Sequence, residues 1–129
     1  MLWYIALGSA IGGVSRYLFG GVVQRLTAGA FPLGTLVVNV TGSFLLGAIL
    51  RYGIDTPSLA PEIRAMLTVG FCGGYTTFST FSYETMALLE DGAWSRATAY
   101  VALSIGLSLV ATTLGFLAAR EVILLRGNA

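Results

Sequence analysis

Tyr100, Ser104, Ser108 and Thr112 recur at strict four-residue intervals near the end of the chain. On a helix, each step of four advances about 40° past a full turn, so these hydroxyls form one gently spiralling stripe. The stripe spans about 18 Å, more than half of a bilayer's hydrocarbon thickness. A lone serine in such a helix usually bonds its own i−4 carbonyl. Four in register point instead to a hydrophilic track. A second group lies in "GGYTTFSTFS", Gly73 to Ser82. Phe78 and Phe81, three apart, share one helix face, and aromatic rings carry a positive edge that can favour a small anion. Two phenylalanines facing lipid are the commoner arrangement, but beside a polar track the anion reading is preferred.

Three more polar side chains interrupt apolar runs, where polarity is costly and needs a partner, a cavity or a function. Asn39, in "GTLVVNVTGSF", serves either as interhelical glue, worth about 0.6 kcal/mol, or as a group beside a wet pathway. Arg16, in "GGVSRY", either snorkels to the near interface or forms a cationic vestibule for an anion. Glu84 either marks the end of its uncharged segment at the interface or faces a water-filled entrance. The run Gly73-Gly74 followed by Thr76-Thr77 is a poor helix interior. A break there would free backbone groups at membrane depth, which persists only where they line a cavity or hold an ion.

The elements that must position these residues are membrane spans. The chain has 129 residues, 56% apolar and 10% charged, room for one compact unit. Met1–Gln24 holds a single charge, Arg16, and no basic leader of a signal peptide. Leu33–Leu50, Ala65–Tyr83 and Ala97–Ala119 hold none. A spanning helix needs about 20 mostly apolar residues, so four spans are expected, at about 2–24, 33–50, 64–89 and 96–120. Pro32 is placed to start the second span, and Pro57 and Pro61 mark a non-helical loop before the third. Small residues four apart, Gly8 with Gly12 and Ser43 with Gly47, allow close helix approach, within one chain or between two copies.

Other function classes find little support. There is no His, and all seven basic residues are Arg. With a net charge of +1, no basic patch is available for nucleic acid. The single Cys72 rules out an intrachain disulfide or a Cys/His metal cluster and reads as apolar filler. Acid–base catalysis would need a carboxylate pair at depth, which the spans lack. Arg51, Arg64, Arg120 and Arg126 share one side of the expected membrane, against Arg25 and Arg96 on the other, with Arg16 if it snorkels that way. So weak a positive-inside bias fits either one orientation or insertion both ways up.

"GGVSRY", "FPLGTLVVNVTGSFLLG" and "GFCGGYTTFSTFSYE" together resemble the CrcB/Fluc fluoride channels, over essentially the whole chain. The resemblance implies an all-α membrane protein of four transmembrane helices, the third broken near its middle. Residues 1–129 would form a single channel domain in the inner (plasma) membrane, lying in lipid. Two copies would pair as an antiparallel dual-topology homodimer with two fluoride pathways. The implied activity is passive, selective export of fluoride, which lowers its toxicity in the cell, and not catalysis. Implied pathway residues are Asn39 as a hydrogen-bond donor, ring edges of Phe78 and Phe81, and the track Tyr100, Ser104, Ser108 and Thr112. Arg16 and Glu84 match vestibule or access positions. A structural sodium ion at the dimer interface would take the backbone carbonyls of Gly73 and Thr76. The nearest rival is a small dual-topology proton-coupled multidrug or cation exporter. Such a protein needs a deep titratable carboxylate, and the first span contains no acid.

Overall fold

In the computed structural model, which describes residues 1–57 and 59–127, the chain is helical and contains no strand among those residues. Helix α1 spans Leu2–Thr27 and ends at Ala28, whose left-handed backbone (φ 43°) lets its N–H bond the Gln24 carbonyl. Helix α2 covers Leu33–Asp55. Pro32 precedes it as the N-cap and is not its first helical residue.

The helical stretch that follows, called the third pass after its place in the expected plan, is composite. It comprises α3, Pro61–Ala65, a π-helical segment, Met66–Cys72, and α4, Gly73–Tyr75. Thr76 (φ −83°, ψ 157°) and Thr77 (φ −150°, ψ 117°) are extended, and α5 then runs Phe78–Glu90. Gly92, at φ 71°, turns the chain into α6, Trp94–Gly127. Among the described residues, three helices are long and apolar enough to cross a membrane: Leu2–Thr27, Leu33–Asp55 and Trp94–Gly127.

Sequence propensity placed the weak point of the third pass across Gly73–Thr77, but both glycines are helical and only the threonines leave the helix. The glycines have a packing role instead. A Cβ on Gly74 would lie 2.6 Å from the Ser9 carbonyl oxygen, and one on Gly70 would lie 2.8 Å from that of Ile5. From the other side, Cβ atoms on Gly8 and Gly12 would strike the carbonyls of Met66 and Phe71. Thus α1 and the π-helical segment meet backbone to backbone, an approach only glycine permits. Thr77 departs from the helix because it is the N-cap of α5. Its Oγ1 accepts from the Thr80 N–H at 3.2 Å.

Helices α2 and α6 form the most extensive interface. A Cβ on Gly47 would strike the Thr112 carbonyl, and one on Gly115 would strike that of Phe44. Gly8, Gly12 and Gly47, three of the four small residues singled out in the sequence, therefore meet backbone within this chain. The helices outrun their expected spans: α2 continues to Asp55 and α6 to Gly127. An Arg51–Asp55 ion pair of 2.8 Å holds the last turn of α2, with the guanidinium 5.0 Å from the Phe116 ring centroid. The buried core is small, and Trp3, Tyr17 and Leu26 on α1 and Leu109 and Leu125 on α6 are exposed. Such an apolar exterior suits lipid.

Candidate functional site

The site is built around the two extended threonines. Extended backbone cannot satisfy its peptide groups within a helix, so a partner must come from elsewhere. Asn39, in the second turn of α2, is that partner. Its Nδ2 donates to the Thr77 carbonyl at 3.1 Å, and its Oδ1 accepts from the Thr77 N–H at 2.7 Å. A carboxamide carries two N–H donors, so one remains beyond this pair.

Beside the pair lies a cavity of about 340 Å³, whose lining includes Asn39, Phe78, Phe81, Ser104 and Ser108. The structure thus brings together five of the residues singled out for the pathway. Phe78 and Phe81 lie 5.4 Å apart, centroid to centroid, and Phe81 meets Tyr100 at 5.2 Å with the rings nearly perpendicular (87°). Tyr100 stands behind Phe81, fully buried, and Thr112 lies outside the cavity with its hydroxyl donated to the Ser108 carbonyl at 3.0 Å. Ser104 differs from both. Its Oγ is buried in the cavity wall and has no hydrogen-bond partner among the described residues.

A second cavity, of about 430 Å³, lies on the other side of Thr77, which lines both. Arg16, Gln24, Thr35, Thr80 and Glu84 line it. The Arg16 Nη1 donates to the Thr76 carbonyl at 3.2 Å, placing a guanidinium against the helix interruption. Glu84 is half-buried and held at both oxygens. Oε1 accepts from Thr35 at 2.8 Å and Oε2 accepts from the Tyr100 hydroxyl at 2.7 Å. One carboxylate on α5 therefore ties α2 to α6.

Contributors that escaped the sequence reading as site residues include Thr35, Ser43 and Gln24. The first two had a legible signal. Thr35, Asn39, Ser43 and Gly47 repeat the four-residue spacing of Tyr100, Ser104, Ser108 and Thr112, so α2 carries a polar stripe of its own. Ser43 lines the first cavity and Thr35 the second. Gln24 had no such signal, because its partners are backbone groups of the α1–α2 loop and of the first turn of α2.

Fold and site define a multi-pass membrane protein with a cleft lined by hydroxyls and aromatic rings. The chain matches the model for CrcB-like protein, camphor resistance, over residues 3–116. It is 51% identical over 118 residues to the "Fluoride-specific ion channel FluC" of Geobacter sulfurreducens, covering 92% of this chain and 95% of that one. The protein of the same name from Syntrophotalea carbinolica is 47% identical over 121 residues, covering 94% of this chain and 98% of the other. That from Geobacter metallireducens is 48% identical over 118 residues. This chain belongs to the CrcB-like family, and these three relatives all carry the name of an ion channel.

Proposed function

We propose that this protein is a fluoride-selective channel of the inner membrane, releasing fluoride passively from the cytoplasm and so limiting its toxicity. The observation that carries the reading is the buried Ser104 hydroxyl, without a hydrogen-bond partner among the described residues, in the wall of a cavity also lined by Asn39, Phe78 and Phe81. An unmade hydrogen bond on a buried group costs about 1–3 kcal/mol, a cost removed when an acceptor arrives. Fluoride is a small, strongly hydrated acceptor and crosses only where donors replace its water. The Ser104 and Ser108 hydroxyls, the spare Asn39 N–H and the ring edges of Phe78 and Phe81 are neutral donors or positive edges. They bind firmly enough to admit the ion and weakly enough to release it. Tyr100 and Thr112 continue the stripe beyond the two ends of the cavity, and Arg16 and Glu84 serve the access side.

The cleft is open on one side, and Phe78 is 78% exposed there despite facing the polar groups. That supports a second copy as the missing wall, and we read the working unit as an antiparallel dual-topology homodimer with two pathways. In each copy the chain crosses four times, the third crossing interrupted at Thr76-Thr77.

A structural sodium ion belongs to the same reading. Because the Thr77 N–H turns to Asn39, the Gly73 carbonyl lacks its helical donor. The Thr76 carbonyl, bonded by Arg16, keeps a second lone pair. These two oxygens would hold the ion between copies, each copy supplying its own pair and the ion joining the two interruptions electrostatically.

A proton-coupled exporter would need a free carboxylate at depth, whereas α1 contains no acid and both Glu84 oxygens are engaged. Reconstitution in liposomes with a fluoride electrode tests the channel directly: rapid fluoride release is expected, and its absence would refute the proposal.

A further inference from the structure

Gln24, in the last turns of α1, has a carboxamide almost fully used by backbone. Nε2 donates to the Gly29 carbonyl at 2.9 Å and to the Phe31 carbonyl at 3.1 Å, and Oε1 accepts from the Gly34 N–H at 3.0 Å. Two carbonyls on one side and an N–H on the other fix which way the amide points. The third bond satisfies a first-turn donor of α2 that would otherwise be orphaned, because Pro32 brings no side-chain cap. One side chain therefore both closes the α1–α2 loop and caps α2.

The loop so held delivers Phe31 into the protein. Its ring lies 5.6 Å from that of Tyr100, inclined by 51°. Tyr100 has no exposed surface. It is held by Phe31, by the perpendicular Phe81 ring and by the Glu84 carboxylate. Closure of the loop is not needed to cross α1 over α2, since Gly20 and Gly34 already bring those backbones together. What the clamp adds is a fixed seat for an aromatic ring behind the cleft.

We propose that Gln24 and Phe31 are positioning residues that set the Tyr100 ring, and through it the Phe81 edge and the Glu84 carboxylate, for anion passage. This rests on the cleft being the fluoride route. Gln24→Glu separates positioning from capping. It keeps an acceptor for the Gly34 N–H but loses both donors, so a role confined to capping α2 predicts parental flux. Positioning predicts that Gln24→Glu, Gln24→Met and Phe31→Leu each slow fluoride efflux at least fivefold while eluting as the parent does. The Gln24→Met/Phe31→Leu double variant should be no more than twofold slower than the slower single. A 3-fluorotyrosine placed at Tyr100 should shift its ¹⁹F resonance in each variant and hold it in Ser82→Ala, whose hydroxyl bonds only the Phe78 carbonyl.

Parental flux in Gln24→Glu or in Phe31→Leu, or effects that multiply in the double variant, would overturn the proposal. Phe31→Leu leaves every loop hydrogen bond in place, so it decides the matter if the Gln24 variants do not fold. If the parent releases no fluoride, the channel reading fails. Positioning is then judged by the resonance alone: a shift supports it and an unmoved signal overturns it.

Discussion

Asn39 and Thr77, 38 positions apart, exchange two hydrogen bonds, so that a side-chain amide on α2 pairs with a peptide group on the third pass. The contact does for the interrupted segment what a neighbouring strand does in a sheet. It satisfies both peptide groups of Thr77 at a depth where water is scarce. It also leaves one amide N–H over, so structural glue and pathway donor are compatible roles for a single residue.

Asn39→Asp removes the donor to the Thr77 carbonyl and sets a carboxylate beside the cleft. Fluoride efflux should fall at least tenfold, and detergent-solubilised protein should unfold at lower temperature, with a loss of about 1–3 kcal/mol for a buried group left unpaired. Asn39→Asp with parental flux and melting temperature would detach the pair from both folding and conduction.

Ser104→Ala separates stability from activity. The hydroxyl is buried without a partner, so its removal should cost nothing and can stabilise the fold by up to about 1 kcal/mol. Efflux should nonetheless drop severalfold, because a donor to the ion is gone. A variant less stable than the parent would show that the hydroxyl has a protein partner; unchanged flux would show that the ion does not use it.

Phe78→Ile and Phe81→Ile keep apolar bulk and delete the ring edge. Each should slow fluoride efflux tenfold or more with the elution volume of the parent retained. If both conduct like the parent, the rings are packing alone. Phe81→Ile should also loosen Tyr100, which Phe81 meets at 5.2 Å.

The glycines of α1 provide a paired test of the fold. Gly12→Ala drives a methyl into the Phe71 carbonyl, whereas Gly13→Ala meets nothing within 4 Å. Overpacking costs about 1–3 kcal/mol, while a helical Gly→Ala whose methyl meets no neighbour gains up to about 1 kcal/mol. Thermal unfolding should therefore move down for Gly12→Ala and slightly up for Gly13→Ala.

Much of the site was legible because helical periodicity is local. The four-residue stripe in α6 locates Ser104 and Ser108, and the spacing of Phe78 and Phe81 places their rings together. Partners drawn from distant backbone are not encoded that way. The engagement of Arg16 with the Thr76 carbonyl, of Gln24 with two loop carbonyls and the Gly34 N–H of α2, and of Thr35 with Glu84 depends on how the helices pack. The glycines of "GGYTT" misled for a related reason. Low helix propensity signals a break and close packing equally, and the opposing Ser9 carbonyl decides for packing. Tyr100 belongs to the stripe by spacing, yet its hydroxyl is committed to Glu84.

The most direct test of the central claim is fluoride and chloride efflux measured from one preparation of proteoliposomes. Neutral donors spaced for a small, strongly accepting ion predict fast fluoride release with chloride release near that of protein-free vesicles. Chloride leaving at a rate comparable to fluoride, or neither leaving faster than from empty vesicles, would contradict the account.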